Sequence, residues 1–270
     1  MAGIDTESFR MFENLVARTG NTYAFDDETS VKGSWALVDI IRDMGFDPMR
    51  TEDFRAGVMS LFNIEIVDMP DLTKNRFIFA PNHVSDLDAI VLGLLHPKIR
   101  IVSKNDWTNN EKLRPFLDIH YNLYGLDRTS LLGLRRLLTD SVDYFNDSDE
   151  TRHYLIFSQG TISDFNNNSL ERISAIAQKI SLKTDVPIVS IFVEQVSLHQ
   201  PTRIVFDKPL RVSKKDDFRK IWLEREAAMQ NALVPPARYP TLSYKHAHNN
   251  KLGDPYFFRI LKNKRGKDAK

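Results

Sequence analysis

From residue 64 onward the chain alternates between two periods, and that alternation limits the fold more than any other feature. Short runs of β-branched, aliphatic and aromatic residues at 64–67, 77–80, 99–103, 122–125, 154–158, 188–193 and 203–206 have the length and composition of strands. Between them, 86–95, 111–118, 131–145 and 170–180 carry apolar residues at helical spacing. A domain of α/β class, with a central sheet flanked by helices, buries both sets. Sheets of this kind build their sites at strand ends and in the loops that follow.

Before residue 64 only helical spacing is found. Phe9, Phe12, Leu15 and Val16 share one face, and Gly20 ends the pattern. Trp35, Val38, Ile41 and Met44 repeat it after Ser34, with Gly45 as the stop. A third stretch after Thr51 carries Phe54, Val58, Leu61 and Phe62. Beyond residue 215, a charged helix over 217–233 presents Ile221, Trp222, Ala228 and Met229 before Pro235-Pro236 stops it. The expected organisation is an N-terminal helical segment (1–63), an α/β core (64–215), and a C-terminal helix with a basic tail (216–270).

The 270 residues can bury a sizeable core without disulfides, and the chain has no cysteine to form any. Its 37 basic and 36 acidic residues leave a net charge of +1, so no global field recruits nucleic acid, and no nucleic-acid partner is expected. Local attraction to an anionic surface rests with the tail 259–270, for which a solvated, frayed terminus is the plainer reading. The longest apolar run is about eight residues, against the roughly twenty that cross a bilayer. Asp5, Glu7 and Arg10 interrupt any signal-peptide core. The expectation is a cytoplasmic protein, peripheral on the cytoplasmic face of the membrane. Its N-terminal helices either dip into the interface or pack on the core, and both explain their apolar faces.

Directly after the strand-like run Arg76–Pro81 stands Asn82-His83-Val84-Ser85-Asp86-Leu87-Asp88. A histidine titrates near neutrality and can take a proton from a hydroxyl, while a nearby aspartate can fix its tautomer and stabilise the imidazolium. His83 and Asp88 are therefore a candidate base and its orienting acid. The same residues allow a structural reading, in which Ser85 and Asp88 form the capping box of the following helix.

Asn82, His83 and Asp88 match the Asn-His-(four residues)-Asp signature of the glycerolipid acyltransferases typified by lysophosphatidate acyltransferase, and the chain resembles that family over roughly residues 64 to 210. Three further segments follow in the family's order. Gly125-Leu126-Asp127-Arg128 looks like the second block, Phe157-Ser158-Gln159-Gly160-Thr161 like the third, and Val186-Pro187-Ile188-Val189 like the fourth.

The resemblance implies a mixed central sheet and acyl transfer from acyl-CoA or acyl carrier protein to a hydroxyl of a lysolipid, most directly 1-acyl-glycerol-3-phosphate. No covalent enzyme intermediate and no cofactor are implied. His83 is then the general base, and Asp88 holds its ring. Arg128, by its family counterpart, contacts an acceptor phosphate, since a guanidinium forks onto phosphate oxygens. Lys104 resembles a family lysine near the headgroup. Asn82, Ser85, Gly125, Asp127, Gln159, Gly160, Thr161 and Pro187 support the motifs. Blander readings remain for several of these: an ion pair of Arg128 with Asp127, a solvated Lys104, and a Pro187 that is scaffold first and acyl-chain lining second.

In the third block, the family's Pro-Glu-Gly-Thr-Arg reads Ser158-Gln159-Gly160-Thr161-Ile162 here. Gln159 keeps the size and hydrogen bonding of Glu but not its charge, so a structural role survives the change and an electrostatic one does not. Ile162 removes a cation. These departures motivate an alternative, the same chemistry on a non-phosphorylated acceptor such as a glycolipid or amino-lipid. A further alternative is a catalytically weak relative that binds lipid or carrier. His246 and His248, with no Cys and no acidic partner in the pattern, are a poor ligand set, and no metal is expected.

Overall fold

A computed structural model describes residues 27–83, 87–127, 130–147, 151–159, 173–194, 198 and 200–235, with side chains from residue 31 onward except that of Asp106. The expected helix around Phe9 to Val16, and the tail with His246 and His248, lie outside them.

Seven strands form one sheet: β1 (Ile64–Val67), β2 (Phe77–Pro81), β3 (Ile99–Lys104), β4 (Asn122–Leu126), β5 (His153–Leu155), β6 (Ile188–Val193) and β7 (Thr202–Phe206), in the order β1-β7-β6-β2-β5-β3-β4. Strands β6, β2, β5, β3 and β4 are mutually parallel. β7 runs antiparallel to β6, and β1 parallel to β7, so the sheet is mixed. Every strand expected from sequence is present. That at 154–158 is shorter, because after Leu155 the chain gives one more rung, Ile156 N–H to the Phe79 carbonyl at 2.9 Å, and then leaves the ladder.

All of β2 is buried, and its two faces serve two cores. Phe77 and Phe79 pack with Leu37, Ile41, Phe54 and Val58 from helices α1 (Asp27–Asp43) and α2 (Thr51–Leu61), and with Val91 and Leu92 from α3 (Leu87–Gly93). Beyond α3 come the single turn α4 (Asn105–Thr108) and then α5 (Arg114–His120), which adds Phe116 to the same core. Ile78 and Ala80 face the other way, toward α6 (Leu131–Asn146), α7 (Ile176–Thr184) and α8 (Phe218–Ala232). This two-sided burial explains why β2 reads as an unbroken apolar run and not as an alternation.

Three helical expectations need correcting. α1 begins at Asp27, ahead of Ser34, and Trp35 is 37% exposed, with its ring centroid 6.4 Å from that of Phe116. On α8 the buried residues include Trp222 and Met229, whereas Ala228 faces solvent. The helix expected over 170–180 begins at Ile176, because Ser174 N–H is bound to the Ser158 carbonyl at 2.7 Å and its hydroxyl accepts from Ile176 N–H. The chain is thus tied back to the end of β5 before it can wind.

Candidate active site

Parallel strands bring their carboxyl ends to one edge, and three of the four sequence blocks arrive there: 82–83 after β2, 125–127 at the end of β4, and 157–159 after β5. The fourth does not. Pro187 lies at the opposite edge, where its carbonyl accepts from Ile78 N–H at 3.0 Å, and β6, six residues or roughly 20 Å long, separates it from His83. A proline suits that place, at the mouth of a strand where it need not donate to the ladder.

Asn82 is fully buried, and its side-chain amide behaves as one more peptide group of β2. Its Nδ2 donates to the Val193 carbonyl at 2.9 Å, and its Oδ1 accepts from Val193 N–H at 2.7 Å. Meanwhile its own N–H reaches the Ile191 carbonyl at 3.2 Å. The strand therefore ends on a side chain that satisfies both backbone groups of Val193 at the end of β6, freeing the backbone to turn away and present His83.

His83 is held by three contacts, two to its ring and one to its backbone. Its Nδ1 lies 3.3 Å from Oδ2 of Asp88, the second residue of α3, whose side chain is fully buried. That separation is at the long end for an N–H···O hydrogen bond. Phe157 stacks on the imidazole with centroids 4.0 Å apart and planes inclined by 26°. The side chain of Gln159, 1% exposed, accepts through Oε1 from the His83 N–H at 2.5 Å. With Nδ1 directed at a carboxylate, Nε2 is the ring nitrogen left for proton transfer, and 14% of the His83 side chain meets solvent.

Lys104 ends β3, exposed, at the same edge and two strands from β2, or about 10 Å across. It is in register with Leu126, so Asp127 follows beside it. Gly125 matters sterically: a Cβ there would stand 2.4 Å from Thr108 Oγ1 and 2.6 Å from Asn105 Oδ1, so its absence lets α4 lie against β4. A similar contact fixes the next turn. Ser130 caps α6 by accepting from Gly133 N–H at 2.8 Å, and a Cβ on Gly133 would collide with the Asp127 carbonyl at 2.3 Å. Arg128, Ser85, Gly160 and Thr161 lie outside the described residues, as does Ile162.

No sequence pattern singles out Phe157 as the residue stacked on the His83 ring, although it stands two positions beyond Leu155 and shares its side of the sheet. Nor does any pattern mark the ion pair just past β6, where Arg203 forks onto the buried Glu194 at 2.6 and 2.9 Å and donates to the Pro235 carbonyl at 2.8 Å. Glu194 holds the Arg203 guanidinium above its usual pKa. Among the described residues, no group of three or more His, Asp and Glu is placed to hold a metal ion, and no helix is long and apolar enough to cross a membrane.

Residues 63–194 match the family model described as Acyltransferase. Among solved structures, the chain is similar to the 1-acyl-sn-glycerophosphate acyltransferase PlsC from Thermotoga maritima, with TM-score 0.48 and 13% identity, over 85% of this chain and 97% of that one. No curated protein matches the sequence.

Proposed function

We propose that the chain, whose domain over residues 63–194 matches the family model described as Acyltransferase, moves a fatty acyl group from acyl-CoA or acyl carrier protein to a hydroxyl of a lysolipid, 1-acyl-glycerol-3-phosphate first among them. The observation that carries this reading is the contact of His83 Nδ1 with Asp88 Oδ2, at the carboxyl end of β2 in that domain. His83 Nε2 takes the acceptor's proton as its oxygen attacks the thioester carbonyl. Collapse of the tetrahedral intermediate expels the carrier thiolate, which leaves as the thiol once it takes up the proton from the imidazolium. Asp88 stabilises that imidazolium while it exists. General-base help of this kind is worth roughly a hundred- to ten-thousandfold.

Lys104, at the end of β3, and by the family pattern Arg128 would receive an acceptor phosphate. One sequence observation favours a second reading with the same chemistry: Ile162 stands where the family has an arginine, as suits an acceptor without phosphate. Gln159 does not add to that reading, because its side chain is turned to the His83 backbone. The enzyme is expected to work at a lipid surface, where its acceptor resides.

The test is acyl transfer by the purified protein, with acyl-CoA and acyl carrier protein as donors, against phosphorylated and unphosphorylated lysolipids. Preference for phosphorylated acceptors, lost in Lys104→Ala or Arg128→Ala, supports the first reading. Equal use of both classes supports the second, and no transfer to any acceptor contradicts both.

A further inference from the structure

We infer that Gln159 is a positioning residue for the proposed base, acting on the His83 backbone through a neutral acceptor and taking no part in recognising the acceptor. The inference rests on the acyl-transfer reading of His83. The Asn82 N–H is directed at β6 through the Ile191 carbonyl, so the His83 N–H faces the β5 side, where the chain leaves the ladder after Ile156, and its acceptor comes from a side chain. A buried N–H without one is costly and lets its residue drift. Gln159 Oε1 supplies that acceptor at 2.5 Å from a side chain only 1% exposed, and Phe157, two residues earlier, packs on the ring of the same histidine.

One short segment after β5 thus holds His83 by both its backbone and its ring, while Asp88 holds Nδ1 from α3. The three contacts approach from different directions and fix position, tilt and tautomer together. A base must sit within hydrogen-bond reach of the proton it removes, and small misplacements are expensive in rate. The job of Gln159 requires an acceptor oxygen and not a charge, which is why this chain can carry Gln where a carboxylate would serve as well.

The test compares Gln159→Leu, which keeps bulk and removes the acceptor, with Gln159→Glu, which keeps an acceptor oxygen. In Gln159→Leu, kcat should fall tenfold or more, with KM for donor and acceptor within about twofold. In Gln159→Glu, kcat should return to within about threefold of the parent. Hydrogen exchange of the His83 amide gives a readout independent of activity: protected in the parent and in Gln159→Glu, faster in Gln159→Leu. An undiminished kcat in Gln159→Leu, a loss expressed in KM alone, or equal exchange in parent and Gln159→Leu overturns the inference. A parent protein inactive on every acceptor would instead sink the functional reading, and the exchange comparison would still decide whether Gln159 holds the His83 backbone.

Discussion

Asn82 and Val193 exchange two hydrogen bonds, side-chain amide to backbone peptide, at 2.9 and 2.7 Å across 111 residues of sequence. The pairing joins β2 to β6 at the point where the chain leaves the sheet to carry His83. It makes Asn82 an end stop for the strand, with its neighbour's geometry as the consequence.

Replacing that end stop should cost stability and activity together. Asn82→Asp retains the acceptor for Val193 N–H but sets a carboxylate against the Val193 carbonyl, while Asn82→Leu leaves both backbone groups unpaired. Each unmade buried hydrogen bond is worth roughly 1–3 kcal/mol. Urea denaturation should place both variants about 2 kcal/mol or more below the parent. An unchanged midpoint in Asn82→Leu would remove the side chain from the account of the fold.

Glu194 and Arg203 form a pair whose side chains are 1% and 11% exposed. Arg203→Met removes the forked guanidinium from the buried Glu194 carboxylate and leaves it the Arg203 backbone N–H at 3.2 Å, so the variant should destabilise by up to roughly 3–5 kcal/mol. The double variant Glu194→Gln with Arg203→Met should recover most of that loss. If the double variant is as unstable as the single one, the loss arises from packing of the Arg203 stem and not from the buried charge.

Gly125 is predicted to tolerate no side chain. Alanine there must push aside Thr108 Oγ1 and Asn105 Oδ1, and overpacking of this sort costs about 1–3 kcal/mol. Thr108→Ala removes the nearer obstacle, so adding it to Gly125→Ala should restore part of the loss in thermal melts. Additive losses would locate the strain elsewhere.

His153 supplies a pH dependence. It is fully buried between Phe77 and Phe79, and its pKa is lowered from 6.5 to about 4, first by desolvation, then by His96, against an opposing hydrogen bond from its Nε2 to the Leu72 carbonyl. The folded state binds the proton less tightly than the unfolded chain. Stability is therefore fully present above pH 6.5 and falls as pH drops toward about 4, by about 2 kcal/mol between about pH 8 and about pH 5 from this residue. Burial lowers His120 as well, adding in the same direction. In His153→Phe the slope of folding free energy against pH over this range should flatten. A slope equal to the parent's would assign the acid sensitivity to other groups.

What could be read from the sequence divides along a physical line. The strands were legible because buried parallel strands are continuous apolar runs, as 77–80 and 188–193 show. The pairing of His83 with Asp88 was legible because both belong to one loop and the helix turn after it. Contacts joining distant segments were not: Gln159 lies 76 residues from His83 and Val193 lies 111 from Asn82, and no local pattern encodes such distances. The start of α7 at Ile176 is not legible for the same reason, since the Ser174 to Ser158 contact that delays it is tertiary. Pro187 reads as a motif residue by order along the chain, yet a parallel strand carries its two ends to opposite edges of the sheet.

The central claim is that His83 removes the acceptor's proton, and single-turnover acyl transfer by His83→Ala tests it most directly. With saturating acyl-CoA and lysolipid, followed by release of the free thiol, the variant should be slower than the parent by roughly a hundred- to ten-thousandfold while remaining folded. Transfer by His83→Ala at the parent's rate would contradict the claim.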